Sequence, residues 1–169
     1  MSLEGLQNAH EVSVATEAAY VVACIYDGGQ GCERSPSRAA HLYARAAKDG
    51  VEAVRNAALY NLATLTLAGA DGIQKDPKLA FLMYETAALA GHANAAYNVA
   101  SLLGNGEGVA RDFAGAKKWF SIAASRGHSG ALKQEAFLSR RNFVSTALVF
   151  ASAMALAIVT CVVLISSFA

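Results

Sequence analysis

The chain repeats one piece of helical punctuation three times. An Ala-Ala-x-x-Gly signature stands at Ala46-Ala47-Lys48-Asp49-Gly50, Ala87-Ala88-Leu89-Ala90-Gly91 and Ala123-Ala124-Ser125-Arg126-Gly127, with its glycines 41 and 36 residues apart. Other landmarks keep the same registers: Gly31, Gly72 and Gly108; Ser35, Asp76 and Asp112; Ala39, Ala80 and Ala116; Tyr43, Tyr84 and Phe120. A period of this size describes a unit that cannot bury its apolar face alone and must stack on copies of itself. The expected fold is all-α: a short α/α solenoid of about three helix-pair repeats.

Each landmark has a mechanical role. Ser35-Pro36 and Asp76-Pro77 place a side-chain oxygen at a helix N-cap and a proline at the first helical position, where its missing N–H costs nothing. Asp112 repeats the cap without the proline. Gly50, Gly91 and Gly127 stand where a left-handed residue would close the same helices. Second helices are therefore predicted near 36–49, 77–90 and 113–126, and first helices near 13–26, 53–68 and 93–103. The first helices end at Gly28-Gly29, Gly69 and Gly104-x-Gly106, where the chain turns back. Alanines 39, 80 and 116 let paired helices approach closely, and Tyr43, Tyr84 and Phe120 fill the gaps between layers. The longer spacing between Gly50 and Gly91 falls mostly before Tyr60-Asn61, whose counterpart is Tyr97-Asn98, and predicts one helix lengthened by a turn.

At these residues the chain resembles the Sel-one-like repeat family, relatives of the tetratricopeptide repeats. The third unit carries the fullest match: Ala96, Leu103-Gly104, Gly106-Glu107-Gly108-Val109, Asp112, Ala116, Lys117, Trp119-Phe120, Ala123-Ala124 and Gly127 stand in that family's order. The second unit keeps Gly72-Ile73, Asp76, Ala80 and Tyr84 but has Met83 where Trp119 stands in the third; the first is the weakest. Gly127-His128-Ser129-Gly130-Ala131 then repeats the start of Gly91-His92-Ala93-Asn94-Ala95, so residues 130–141 are expected to begin a further first helix. The resemblance implies a protein-binding surface without catalysis.

After Arg140 and Arg141 the sequence changes character. Residues 143–169 carry none of the chain's 14 basic and 13 acidic side chains. As a helix this run is roughly 40 Å long, enough for a hydrocarbon core of about 30 Å. It is expected to be a single transmembrane helix following the solenoid, and its place at the end of the sequence argues against a cleaved signal peptide. Arg140 and Arg141 keep the preceding residues on the insertion side. Ala147, Ala151 and Ala155 recur every four residues, and such a row lets another membrane helix approach. The organisation read is an N-terminal segment over 1–12, a repeat solenoid over 13–141 and an anchor over 142–169.

No chemistry-bearing motif appears. There is no phosphate loop, nucleophile elbow, His-Glu-x-x-His or dinucleotide fingerprint. Gly104-Asn105-Gly106-Glu107-Gly108 lies between helices, and reads as a turn. His92 and His128 occupy equivalent places in neighbouring layers about 10 Å apart, too far to share one ion. Cys24, Cys32 and Cys161 form no metal-ligand spacing, and Asp27 near the first two is a weak signal for a reactive thiol. Trp119 reads as core. A net charge of +1 gives no electrostatic reason to expect nucleic acid.

The sequence therefore expects no enzyme, no cofactor, no metal and no small-molecule substrate. Its partners are other proteins, met through the solenoid and the transmembrane helix, and the lipid bilayer. One reading is a non-catalytic accessory (supernumerary) subunit of a large membrane complex in the mitochondrial inner membrane, of the respiratory chain or the ATP synthase. The alternative is a free tail-anchored adaptor that recruits a soluble client to the endoplasmic reticulum or outer mitochondrial membrane.

Overall fold

A computed structural model describes residues 3–134 of the chain, apart from 70 and 132. Six helices follow one another: α1 (Leu3–Gly28), α2 (Pro36–Asp49), α3 (Glu52–Ala68), α4 (Pro77–Leu89), α5 (Ala93–Asn105) and α6 (Phe113–Ser125). Every helix packs on the one before it and the one after it in the chain. The arrangement is the predicted solenoid of helix pairs, α1–α2, α3–α4 and α5–α6.

Turn chemistry sets the pairing. Gly69 and Gly106 adopt left-handed backbone directly after α3 and α5, and each N–H returns to the helix it closes. The chain then folds back so that the N–H of each second-helix cap donates to a carbonyl near the end of the first helix: Ser35 to Tyr26 (2.9 Å), Asp76 to Thr66 (3.0 Å) and Asp112 to Leu103 (2.9 Å). One hydrogen bond thus clasps every pair in the same register. Gly108 has a further constraint, since a Cβ there would overlap the Pro77 carbonyl of the preceding unit. Only glycine lets the loop lie so close to α4.

Burial follows the repeat. Ala39, Ala80 and Ala116 are fully buried, and Tyr43, Tyr84 and Phe120 almost so. There is no single core. One cluster joins the first two units through Ala23, Ala39, Tyr43, Ala46, Ala58 and Leu65; another joins the second and third around Tyr84, Val99, Leu103 and Phe120. Each interface buries the face that its unit could not bury alone. Trp119 is half-buried and packs against the second cluster from its edge.

Three expectations are corrected. The first helix begins at Leu3, not near 13: residues 3–12 contain no proline and are rich in helix formers, so nothing stops the helix there. Gly50 is extended (φ −75°, ψ 157°) and not left-handed, because α3 begins two residues later and leaves no room for a reversal. Glycine is still required at that place, since a Cβ would meet the Ala46 carbonyl oxygen. Ser35 occupies the N-cap of α2 but makes no side-chain cap bond. Pro36 fixes the first helical φ and removes one free N–H, so α2 starts without it. The extra turn predicted before Tyr60 is present: α3 has 17 residues and α5 has 13.

Among the described residues no helix is long and apolar enough to cross a membrane. The expected anchor over 142–169, its row Ala147, Ala151 and Ala155, and the pair Arg140 and Arg141 lie outside the described residues.

Candidate protein-interaction surface

The polar groups inside the solenoid are used by the stacking itself. Tyr20, Tyr60 and Tyr97 stand at equivalent places on the first helices and meet Tyr43, Tyr84 and Phe120 with ring centroids 5.8, 5.7 and 5.2 Å apart. His92 and His128 stack on two of these rings, 4.6 Å from Tyr60 and 4.1 Å from Tyr97. The histidines are pillars between units, each contacting a different tyrosine. Burial lowers the His92 pKa, and its Nδ1 accepts from Ala95 N at 3.2 Å to cap α5. His128 lacks that bond, because Ala131 N donates to the His128 backbone carbonyl instead.

The tyrosine hydroxyls are equally committed. Thr64 Oγ1 lies 2.9 Å from Tyr84 Oη, while Tyr43 Oη donates to Cys24 Sγ at 3.5 Å. Asn61 Nδ2 donates to Tyr20 Oη at 3.3 Å. Burial raises the pKa of Tyr20, Tyr43 and Tyr84 further above the ordinary phenol value. Cys24 is thus a neighbour of an aromatic hydroxyl, and Asp27 is paired with Arg34 at 3.4 Å. Among the described residues no group of three His, Cys, Asp or Glu side chains could hold a metal ion.

What is left over lies on the outer side of the second helices. On α2 this side carries Arg38, His41, Arg45 and Lys48, all exposed. The equivalent side of α4 carries Leu79, Leu82 and Leu89, 48, 50 and 71% exposed. A mostly apolar groove of about 350 Å³ opens between α2 (Ser37, Ala40, His41, Ala44), Leu62 of α3 and Ile73 in the α3–α4 loop. A smaller polar hollow of about 200 Å³ lies beside Glu33, Arg34, Ser35 and Arg38. Neither was singled out from the sequence. The signal for the groove is a comparison across units: Ala40 falls in the register of Phe81.

Comparison with known proteins agrees with this architecture. The chain is 35% identical over 121 residues to chitin synthase regulatory factor 4 of Schizosaccharomyces pombe, covering 69% of this chain and 17% of that protein. A Sel1 repeat protein from Oxalobacter formigenes superposes with a TM-score of 0.62 at 30% identity, over 79% of this chain and 98% of that one. A protective antigen present in uropathogenic Escherichia coli strains gives a TM-score of 0.63 at 28% identity, over 78% of this chain and 27% of its own. The Sel1 repeat family model matches residues 16–51, 56–92 and 93–128, one match for each helix pair with its closing turn. With three units in register, clasped by the same hydrogen bond and stacked through the same aromatic positions, the chain belongs to the Sel1 repeat family.

Proposed function

We propose that this chain is a membrane-anchored protein–protein interaction module, in which the solenoid holds protein partners and residues 142–169 keep them at a bilayer. It acts as a non-catalytic accessory subunit of a larger membrane assembly. The observation that carries this reading is on the outer side of the second helices, where α2 presents exposed basic side chains and α4 exposed leucines, while the Tyr20 and Tyr84 hydroxyls are bonded inside the solenoid. Exposed leucines in one row beside a charged row suit a partner protein. The regulatory role named for the Schizosaccharomyces pombe relative is consistent with accessory work, although the chain spans only 17% of that protein's length.

The uncharged run after Arg141 supports the anchor, and the row Ala147, Ala151 and Ala155 supports a neighbour in the membrane. We assign the mitochondrial inner membrane, in a respiratory-chain or ATP synthase complex, as the first location to test. A tail-anchored adaptor on the endoplasmic reticulum or outer mitochondrial membrane is the competing assignment. Native gel electrophoresis after mild detergent extraction, combined with fractionation, separates them. An accessory subunit migrates within a large assembly; a chain that migrates alone overturns that role.

A further inference from the structure

We infer that the groove between α2 and the α3–α4 loop seats an aromatic side chain of a partner peptide that carries acidic residues beside it. The inference rests on the reading of the chain as an interaction module and names the chemistry of one partner. The solenoid supplies its own comparison, because the same place exists one unit later. Ala40, Leu62 and Ile73 are in register with Phe81, Val99 and Val109. In the later interface Phe81 and Val109 both pack against the core that contains Val99. In the earlier one a methyl group stands where that phenyl ring would be, and about 350 Å³ stays open. Ala40, Leu62 and Ile73 pack on the first cluster, but the side of them that faces the groove makes none of the dispersion contacts that a seated ring would add. The group at the equivalent place in the second unit is a phenyl ring, and in the first interface a partner's ring would supply it.

The rim specifies what accompanies the ring. Lys48 is one helical turn from Ala44, and Arg45 is one turn from His41, so both cations stand beside the groove. Both are exposed and make no ion pair among the described residues. Arg38 lies over the Tyr26 ring at 5.6 Å, with its charge still at the surface. The only acid on α2 is Asp49, at its last residue; the loop side of the groove adds one exposed carboxylate, Asp71 beside Gly72, and Lys75, which pairs with Glu107, so the cations of α2 outnumber the acids around the groove. At the corresponding places α4 has Leu79, Thr86 and Leu89, so the positive rim belongs to the unit with the open groove. Complementarity then asks for carboxylates flanking the aromatic residue.

The test uses the full-length chain in mild detergent and a fluorescently labelled synthetic peptide, Asp-Glu-Phe-Glu-Asp. Two control peptides replace its Phe with Ala or its acids with Lys. Saturable binding is expected for the first peptide alone, weakening as salt is raised. Ala40→Phe, which copies the residue of the second unit, should weaken binding at least about tenfold by filling the groove, as one missing buried contact of this size implies. Arg45→Glu combined with Lys48→Glu lies on exposed positions, and should weaken it comparably with the helical circular dichroism unchanged. If Ala40→Phe disturbs folding, this charge variant decides. Absence of saturable binding, equal binding of the Ala peptide, or unchanged binding by a folded Ala40→Phe protein would each overturn the inference. So would self-association that Ala40→Phe abolishes, which would give the groove to a second copy of this chain. Native-gel migration of the wild-type chain is read in parallel. Migration in a large assembly without peptide binding defeats the groove alone, whereas a chain migrating by itself defeats the accessory-subunit reading and leaves the groove to be decided by the peptide.

Discussion

His92 lies against Tyr60 with the rings 24° from parallel, and the same imidazole accepts the Ala95 N–H through Nδ1. One side chain therefore joins the second unit to the third and caps the helix that begins the third. Protonation at Nδ1 removes the acceptor, and burial already holds the His92 pKa below its usual 6.5. The folded state then binds this proton less readily than the unfolded state does. Stability from His92 is complete above about pH 6.5 and is lost as pH falls through the folded-state value. Urea titrations at about pH 7.5 and 5.5 should show the wild-type midpoint falling more than that of His92→Asn, whose amide can cap without titrating in this range. Parallel falls would show that His92 has no part in the acid response.

A carboxylate cap is present in two units and missing from the first. Asp76 accepts from Leu79 N, and Asp112 accepts from Ala114 N and Gly115 N, whereas the Ser35 side chain accepts nothing. Ser35→Asp should therefore stabilise the domain by about 0.5–1 kcal/mol, helped by Arg34 and Arg38 beside it. Asp76→Ala should cost about 0.5–2 kcal/mol. Denaturant midpoints of the two variants are expected on opposite sides of the wild type.

Glycines 91 and 108 separate backbone strain from overlap. Both have positive φ, 102° and 72°, but a Cβ at Gly91 would meet nothing within 4 Å, while one at Gly108 would run into Pro77. Gly91→Ala should cost about 1–2 kcal/mol from backbone strain. Gly108→Ala should cost visibly more, because the loop must also lift off α4. Equal thermal shifts would show that this loop is free to move.

How far the sequence reached is clearest at the second helices. The starts at Pro77 and Phe113 are legible from Asp76 and Asp112, because capping is a local matter between a side chain and the next three N–H groups; the start at Pro36 is legible from the proline, since the Ser35 side chain makes no cap bond. The length of α1 was not legible, since a sequence marks where a helix is stopped more strongly than where it runs on. Gly50 misled for a related reason: glycine serves both positive φ and close approach, and only the neighbouring Ala46 carbonyl distinguishes them. The stacking of His92 and His128 on Tyr60 and Tyr97 depends on contacts between units, and the repeat register hinted only at their equivalence. The groove is an absence of volume at Ala40, invisible until the unit is compared with its neighbour.

The row Ala147, Ala151 and Ala155 gives a prediction from sequence alone. Ala151→Leu adds apolar volume, so membrane insertion should be unaffected or slightly improved. Assembly should nevertheless weaken, since a close helix contact cannot admit the larger side chain. Val149→Leu, on another face, is the matched control. Carbonate resistance reads insertion and native gels read assembly; equal co-migration of both variants with the parent complex would leave that row without a close neighbour.

Each helix leans chiefly on its immediate predecessor and successor, with α1 also touching α3, and the interior is divided between two clusters. A molecule built in this way resists pulling like a short chain of links and not like a single knot. Tension between the Leu3 end and residue 134 should release one helix pair at a time, with smaller steps than the all-or-none rupture of a domain closed around one centre. The interface between the first and second units, with the smaller cluster and the open groove, is the link expected to yield first. A partner seated across that interface would then be sensed as stiffness.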